Sequence, residues 1–130
     1  MWTYYIREGE LWQNGHCVAR RLYSGSDDGD GLVEPGEGMN DPSLVGERNV
    51  GPLPPGRYTI GPAFNHPQTG PVSMRLFPSA DTDMLGRDGF LIHGGNLAGG
   101  ASHGCIVAPA TVRAILATTT DRVLTVVAQA

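Results

Sequence analysis

The chain has 130 residues and no lysine. Its nine basic residues are all arginines, set against 13 acidic ones for a net charge of −4. No basic stripe or patch is present, which excludes the electrostatic footprint of a nucleic-acid binder. No apolar run approaches the ~20 residues needed to cross a bilayer, so no membrane span is predicted. The first residues, Met1-Trp-Thr-Tyr-Tyr-Ile-Arg-Glu8, lack the basic start, apolar stretch and small-residue cleavage site of a signal peptide. Cysteine is scarce: Cys17 and Cys105 alone make no disulfide framework. A Cys17–Cys105 bridge is conceivable, but Cys17 lies in a strand-like run and reads first as a small buried core residue. The length suffices for one core without covalent staples, so residues 1–130 are read as a single domain.

What is present is mostly β pattern. Trp2, Tyr4 and Ile6 alternate with Thr3, Tyr5 and Arg7, the period of a half-buried strand. Glu10 to Gln13 reads as a second strand, Asn14-Gly15 as a hairpin turn, and His16 to Tyr23 as the returning strand. Residues 24–56 hold seven of the 13 acidic residues with many Gly and Pro, and read as a long acidic connection. Strands are predicted at Arg57 to Ala63, Val72 to Phe77 and Phe90 to His93, with turns near Asn65 to Pro71 and Asp81 to Asp88. One helix follows Cys105, with Pro109 in its first turn and Val112, Ile115, Leu116 and Thr119 at helical spacing. Val123 to Val127 closes the chain as a buried strand. Six or seven strands and one helix imply a mainly β fold, a compact sandwich or partly closed barrel.

Chemistry concentrates in Phe90-Leu-Ile-His-Gly-Gly-Asn-Leu-Ala-Gly-Gly-Ala-Ser-His-Gly-Cys-Ile-Val107. A thiol needs a base to become a nucleophile near neutral pH, and imidazole suits that task. His93 ends an apolar strand, so the sheet fixes it. The glycine-rich loop after it delivers Ser102-His103-Gly104-Cys105. Gly104 permits a tight turn in which its own N–H and that of Cys105 face a developing oxyanion, a donor of this kind being worth roughly 3–4 kcal/mol in the transition state. Ser102 is placed to orient a histidine or a substrate amide, and His103 to shape the site. An activated Cys105 is expected to alkylate quickly near neutral pH. Two other readings stand beside this one. His93, His103 and Cys105, with His66, are the residue types of a zinc site, though the spacing is not a standard one. Ser26, Asp28, Asp30, Gly31 and Glu37 fall on the spacing of a calcium loop, although Ser26 replaces the usual first Asp and Pro35 interrupts. A metal-binding or non-catalytic cell-wall-binding module is thus the alternative to a cysteine enzyme.

Ser102-His103-Gly104-Cys105, preceded by His93-Gly94, resembles the active-site signature of the L,D-transpeptidase (YkuD-type) domains of bacterial cell-wall enzymes. Gly51-Pro-Leu-Pro-Pro-Gly-Arg-Tyr58 is similar to a proline segment upstream in those domains. With the Trp-x-Tyr start, Tyr23-Ser24-Gly25 and a shortened His-to-Cys loop, the chain most resembles the compact L,D-transpeptidase-like effectors of type VI secretion systems, over nearly its whole length. Two departures bear on substrate geometry: the His-to-Cys gap is short, and an Arg that commonly follows the cysteine by two positions is here Val107. Arg87 is the candidate to meet a substrate carboxylate in its stead, with Gly94 and Asn96 as further substrate contacts.

The resemblance implies a reaction. Cys105 attacks the diaminopimelate carbonyl of a peptidoglycan tetrapeptide stem, His93 takes the thiol proton, and D-alanine leaves behind a thioacyl-enzyme. Water then gives L,D-carboxypeptidase activity, and an amine gives exchange or cross-linking. No metal or organic cofactor is required. It also implies a protein made in the cytoplasm without a signal peptide, secreted into the periplasm of a target bacterium, with secretion machinery and an immunity protein as partners.

Overall fold

The computed structural model describes residues 1–25, 38–47, 50–95 and 104–130. Among them are nine strands and one α-helix: β1 (Trp2–Tyr5), β2 (Glu10–Gln13), β3 (His16–Ala19), β4 (Tyr23–Ser24), β5 (Gly56–His66), β6 (Gly70–Pro78), β7 (Leu91–His93), β8 (Ile106–Val107), α1 (Ala110–Thr118) and β9 (Val123–Val127). The fold is mainly β with one helix after Cys105, as the pattern predicts. All nine strands join one mixed sheet in the order β3-β2-β1-β9-β5-β6-β7-β8-β4. Two pairings are parallel, β1 with β9 and β7 with β8; the others are antiparallel.

The alternation in β1 does what it promises. Trp2 and Tyr4 are buried, while Thr3 and Tyr5 are half-buried. The Asn14-Gly15 turn has positive φ at both residues, 51° and 83°, the requirement of a type I′ hairpin. The returning strand is shorter than its pattern. β3 stops at Ala19, Arg21 takes a left-handed φ of 63°, and the chain leaves for the far edge of the sheet. There β4 pairs with β8 through Tyr23–Val107 and Ser24–Ile106. Just before β4, the Leu22 N–H donates to Gly9 O at 3.0 Å, in the β1–β2 turn. This bond draws the far edge back toward the opposite side, so the open sheet curls around a shared core.

That core runs from Trp2, Tyr4 and Leu11 through Tyr58, Ile60, Met74 and Ile92 to Ile106, Leu124 and Val126. α1 closes it with Val112 and Leu116, whereas Ile115 is 45% exposed, so the apolar stripe is narrower than the sequence spacing suggests. Pro109 is the residue that caps the helix start, one place before its first turn. β9 is buried on one face only, with Leu124 and Val126 inside and Val123 exposed. β5 is bulged between Ile60 and Ala63. Arg122 fills the gap by donating to the Ile60 and Gly61 carbonyls at the bulge, and it also donates to the Leu116 carbonyl near the end of α1. Cys17 is half-buried on edge strand β3 rather than in the core, and it forms no disulfide with Cys105.

Candidate active site

The thiol and the base come from neighbouring parallel strands. Ile92 pairs with Ile106 and His93 with Val107. Ile92 and Ile106 point into the core. By the two-residue period of a strand, Leu91, His93, Cys105 and Val107 therefore face the other way. One step back along the register brings Cys105 beside Leu91, whose N–H donates to Cys105 Sγ at 3.3 Å. Cys105 and His93 line one cleft of about 350 Å³, together with Leu91, Gly89 and the β5–β6 turn residues His66, Gln68 and Thr69.

His93 is only 3% exposed. Its Nδ1 lies in hydrogen-bond contact with Gly94 O. A carbonyl accepts and cannot donate, so Nδ1 carries the proton of the neutral ring and Nε2 is its acceptor. Gly94 therefore orients the base; its Cα also abuts the Arg113 guanidinium, which a Cβ there would meet at 2.7 Å. Arg113 is held by Ala108 O at 3.0 Å and Pro71 O at 2.8 Å, linking α1 to the start of β6 beside the imidazole.

Electrostatics favours a neutral pair. Burial holds the His93 imidazole below its ordinary value of 6.5; the Gly94 carbonyl opposes this, and Arg113 and His66 reinforce it. Burial pushes the Cys105 thiol up, against the Leu91 N–H and the Arg87 charge, which both favour thiolate. The sequence leads one to expect a sulfur already ionised and quick to alkylate. The structure instead shows a thiol whose burial disfavours ionisation, in the same cleft as an imidazole whose Nε2 is an acceptor.

Gly104 sits immediately before the thiol with φ of 124°, as its expected turn requires. A Cβ there would lie 2.4 Å from a Phe90 ring carbon and 2.6 Å from the Arg87 guanidinium. Its carbonyl accepts a 2.7 Å bond from Ser24 Oγ, and that same oxygen accepts from the Leu53 N–H at 3.1 Å. One buried hydroxyl thus ties β4 to the proline segment and to the residue preceding Cys105. The Ser24 N–H in turn donates to Asn40 Oδ1 at 3.0 Å.

Arg87 is a correction. The sequence suggests a ligand for a substrate carboxylate, but the side chain is 6% exposed and turned into the main chain. It donates to Val45 O and Pro52 O, both at 2.6 Å, and to Gly51 O at 3.0 Å, and stacks on Phe90 at 5.0 Å. Three carbonyls satisfy a buried guanidinium without a ligand, so Arg87 braces the proline segment under Gly104. Val107 is closed to solvent; Arg20 and Arg21 share with it a hollow of about 260 Å³ on the β4 side.

Asn96, Ser102 and His103 lie outside the described residues, as do Ser26, Asp28, Asp30, Gly31 and Glu37 of the calcium spacing. Among the described residues no three His, Cys, Asp or Glu side chains are grouped to hold a metal ion. His66, considered from sequence only as a zinc ligand, shares the cleft with Cys105. Ser24 was legible only as part of Tyr23-Ser24-Gly25, and Arg113 carries no sequence signal beyond its place on the helix.

A mainly β domain with a thiol and an imidazole in one cleft, held by main-chain bonds, is the class that fold and geometry define. The family model of the Tlde1 domain matches residues 34–128, and the chain belongs to that family, the type VI secretion effectors of the L,D-transpeptidase-like kind. The match takes in the proline segment, His93 and Cys105, and leaves β1 to β4 outside. The family points to peptidoglycan as target and to secretion into target cells. No curated protein matches the sequence. No helix among the described residues is long and apolar enough to cross a membrane.

Proposed function

We propose that the chain is a cysteine L,D-carboxypeptidase or transpeptidase that cleaves the diaminopimelate–D-alanine bond of peptidoglycan stems. The observation that carries this reading is the shared cleft, in which Cys105 Sγ and His93 lie together with the proton of His93 committed to Gly94 O. The thiol proton passes to His93 Nε2 as sulfur bonds to the carbonyl carbon, and the carbonyl oxygen takes the charge. The N–H groups of Gly104 and Cys105 are the proposed oxyanion donors, fixed from behind by Ser24 and Arg87. His93 returns the proton to the departing amine of D-alanine as the C–N bond breaks, and a thioester remains on Cys105. Water or an amine, deprotonated by His93, then attacks the thioester and restores the thiol. His103, Ser102 and Asn96 complete the groove in this proposal, and a periplasmic immunity protein in the producer is its biological corollary.

A cysteine held un-ionised suits this sequence, because proton transfer and attack are coupled and no reactive thiolate is carried while the site is empty. The test is mass spectrometry of isolated muropeptides after incubation with the protein and with Cys105→Ala. Tetrapeptide stems should lose D-alanine, or exchange it, with the wild type alone. Release by Cys105→Ala at the wild-type rate would refute the mechanism.

A further inference from the structure

The cleft holds a second imidazole whose tautomer is fixed in the opposite sense to that of His93. His66 ends β5 where the chain turns into β6. Its Nδ1 accepts from the main-chain N–H of Gln68 at 3.0 Å and of Thr69 at 3.3 Å. Two donors aimed at one ring nitrogen require a lone pair there, so the proton of the neutral ring sits on Nε2. Among the described residues the hydrogen bonds of the ring use Nδ1 alone, and Phe64 packs against it at 5.8 Å between centroids. The ring is half-buried, lines the cleft with Cys105, and lies close enough to His93 for the two imidazoles to influence each other electrostatically. One histidine thus offers the cleft an acceptor nitrogen and the other a donor.

The remaining walls show what that donor is for. No arginine is among the described residues lining this cleft, and Arg87 donates to main-chain carbonyls. Yet the substrate of the proposed reaction ends, one residue past the bond to be broken, in a carboxylate. The described residues that line the cleft offer that anion N–H donors, and the Nε2–H of His66 is one of them. Resting on the peptidase reading above, we infer that His66 is a specificity-determining residue whose Nε2–H receives the terminal carboxylate of the stem peptide and sets its carbonyl over Cys105.

Asparagine carries an acceptor where the ring has Nδ1, and so preserves the turn while deleting the Nε2 donor; glutamine carries its amide N–H near the Nε2 position. The experiment compares wild type, His66→Asn and His66→Gln on a tetrapeptide stem with a free terminal carboxylate and on the same peptide ending in a carboxamide. Wild type should prefer the free acid. His66→Asn should lose roughly ten- to hundredfold in kcat/KM on the acid, the size expected for one hydrogen bond to a charged group, through KM rather than kcat. It should change little on the carboxamide and alkylate at Cys105 as wild type does. His66→Gln should recover part of the preference. Nitrogen-15 NMR of the free protein should show the proton of His66 on Nε2. A His66→Asn variant with the wild-type preference for the acid, equal losses on both peptides, or a proton on Nδ1 would each overturn this inference and leave the peptidase reading intact. A wild-type protein that releases D-alanine from neither peptide would overturn both.

Discussion

The two flanks of the sheet are held together by different forces. On the β3-β2-β1-β9-β5 flank, strands are four to eleven residues long, and apolar side chains such as Trp2, Tyr4, Leu124 and Val126 are almost wholly buried. On the β7-β8-β4 flank the strands are two or three residues long. So short a ladder supplies few main-chain bonds, although Leu91, Ile92, Ile106 and Val107 are buried. Its place is taken by polar side chains bonded to carbonyls: Ser24 to Gly104, Arg87 to residues 45, 51 and 52, and Arg113 to residues 71 and 108. The first flank is stabilised by burial that tolerates modest repacking. In the second, geometry is set by a few directional bonds, which is what a nucleophile and its base need.

Substitutions should separate the two flanks. Leu124→Ala, on the apolar flank, should cost about 2–5 kcal/mol of unfolding free energy. Its folded fraction should keep the wild-type kcat/KM, as denaturant melts paired with D-alanine release would show. Gly104→Ala meets both a left-handed φ and the Phe90 and Arg87 contacts. It should cost about 2–4 kcal/mol and remove activity as well, since relief moves the residue next to sulfur. Ser24→Ala orphans the Leu53 N–H and the Gly104 carbonyl, for about 1–3 kcal/mol. Its kcat should fall further than its stability implies. Equal kcat for Ser24→Ala and Leu124→Ala at matched folded fractions would erase the distinction between the flanks.

Smaller effects sharpen it. Tyr4 Oη is buried with no hydrogen-bond partner among the described residues. Tyr4→Phe should therefore be neutral or stabilising by up to about 1 kcal/mol in a thermal melt, because removing an unsatisfied hydroxyl relieves its desolvation. The site contributes to the pH dependence through His93 and Cys105. His93 has a depressed folded value, so the stability it confers is present above its ordinary 6.5 and is lost as pH falls from there through the lower folded value. The Cys105 value is raised, so its share is present below the ordinary thiol range and is lost as pH climbs through the folded value. Tm measured against pH should decline on both sides, and Cys105→Ala should flatten the alkaline side alone. The acid limb of kcat/KM should lie below 6.5.

Legibility from sequence divides along the same line. The Asn14-Gly15 hairpin, the alternation of β1 and the helix after Cys105 rest on local rules, and each was readable. His93 and Cys105 stood out as a base and a thiol in a glycine-rich run, though their roles remain proposals. Arg87 was misjudged because nothing local distinguishes an arginine facing a ligand from one facing the carbonyls of residues 45 to 52. Ser24 was overlooked as a site residue because its partners lie 29 and 80 positions away. His66 looked like a spare metal ligand because only the β5–β6 turn reveals which of its nitrogens is occupied.

The sequence by itself determined the β-rich class, the single helix, the hairpin and the pair of reactive side chains, since periodicity, turn chemistry and residue type act over a few neighbours. Only the tertiary structure decided that the sheet curls, that burial disfavours ionisation of the thiol, and that the two cleft histidines present opposite faces. Those properties depend on burial and on hydrogen bonds between distant segments, and neither exists until the chain has closed around its core.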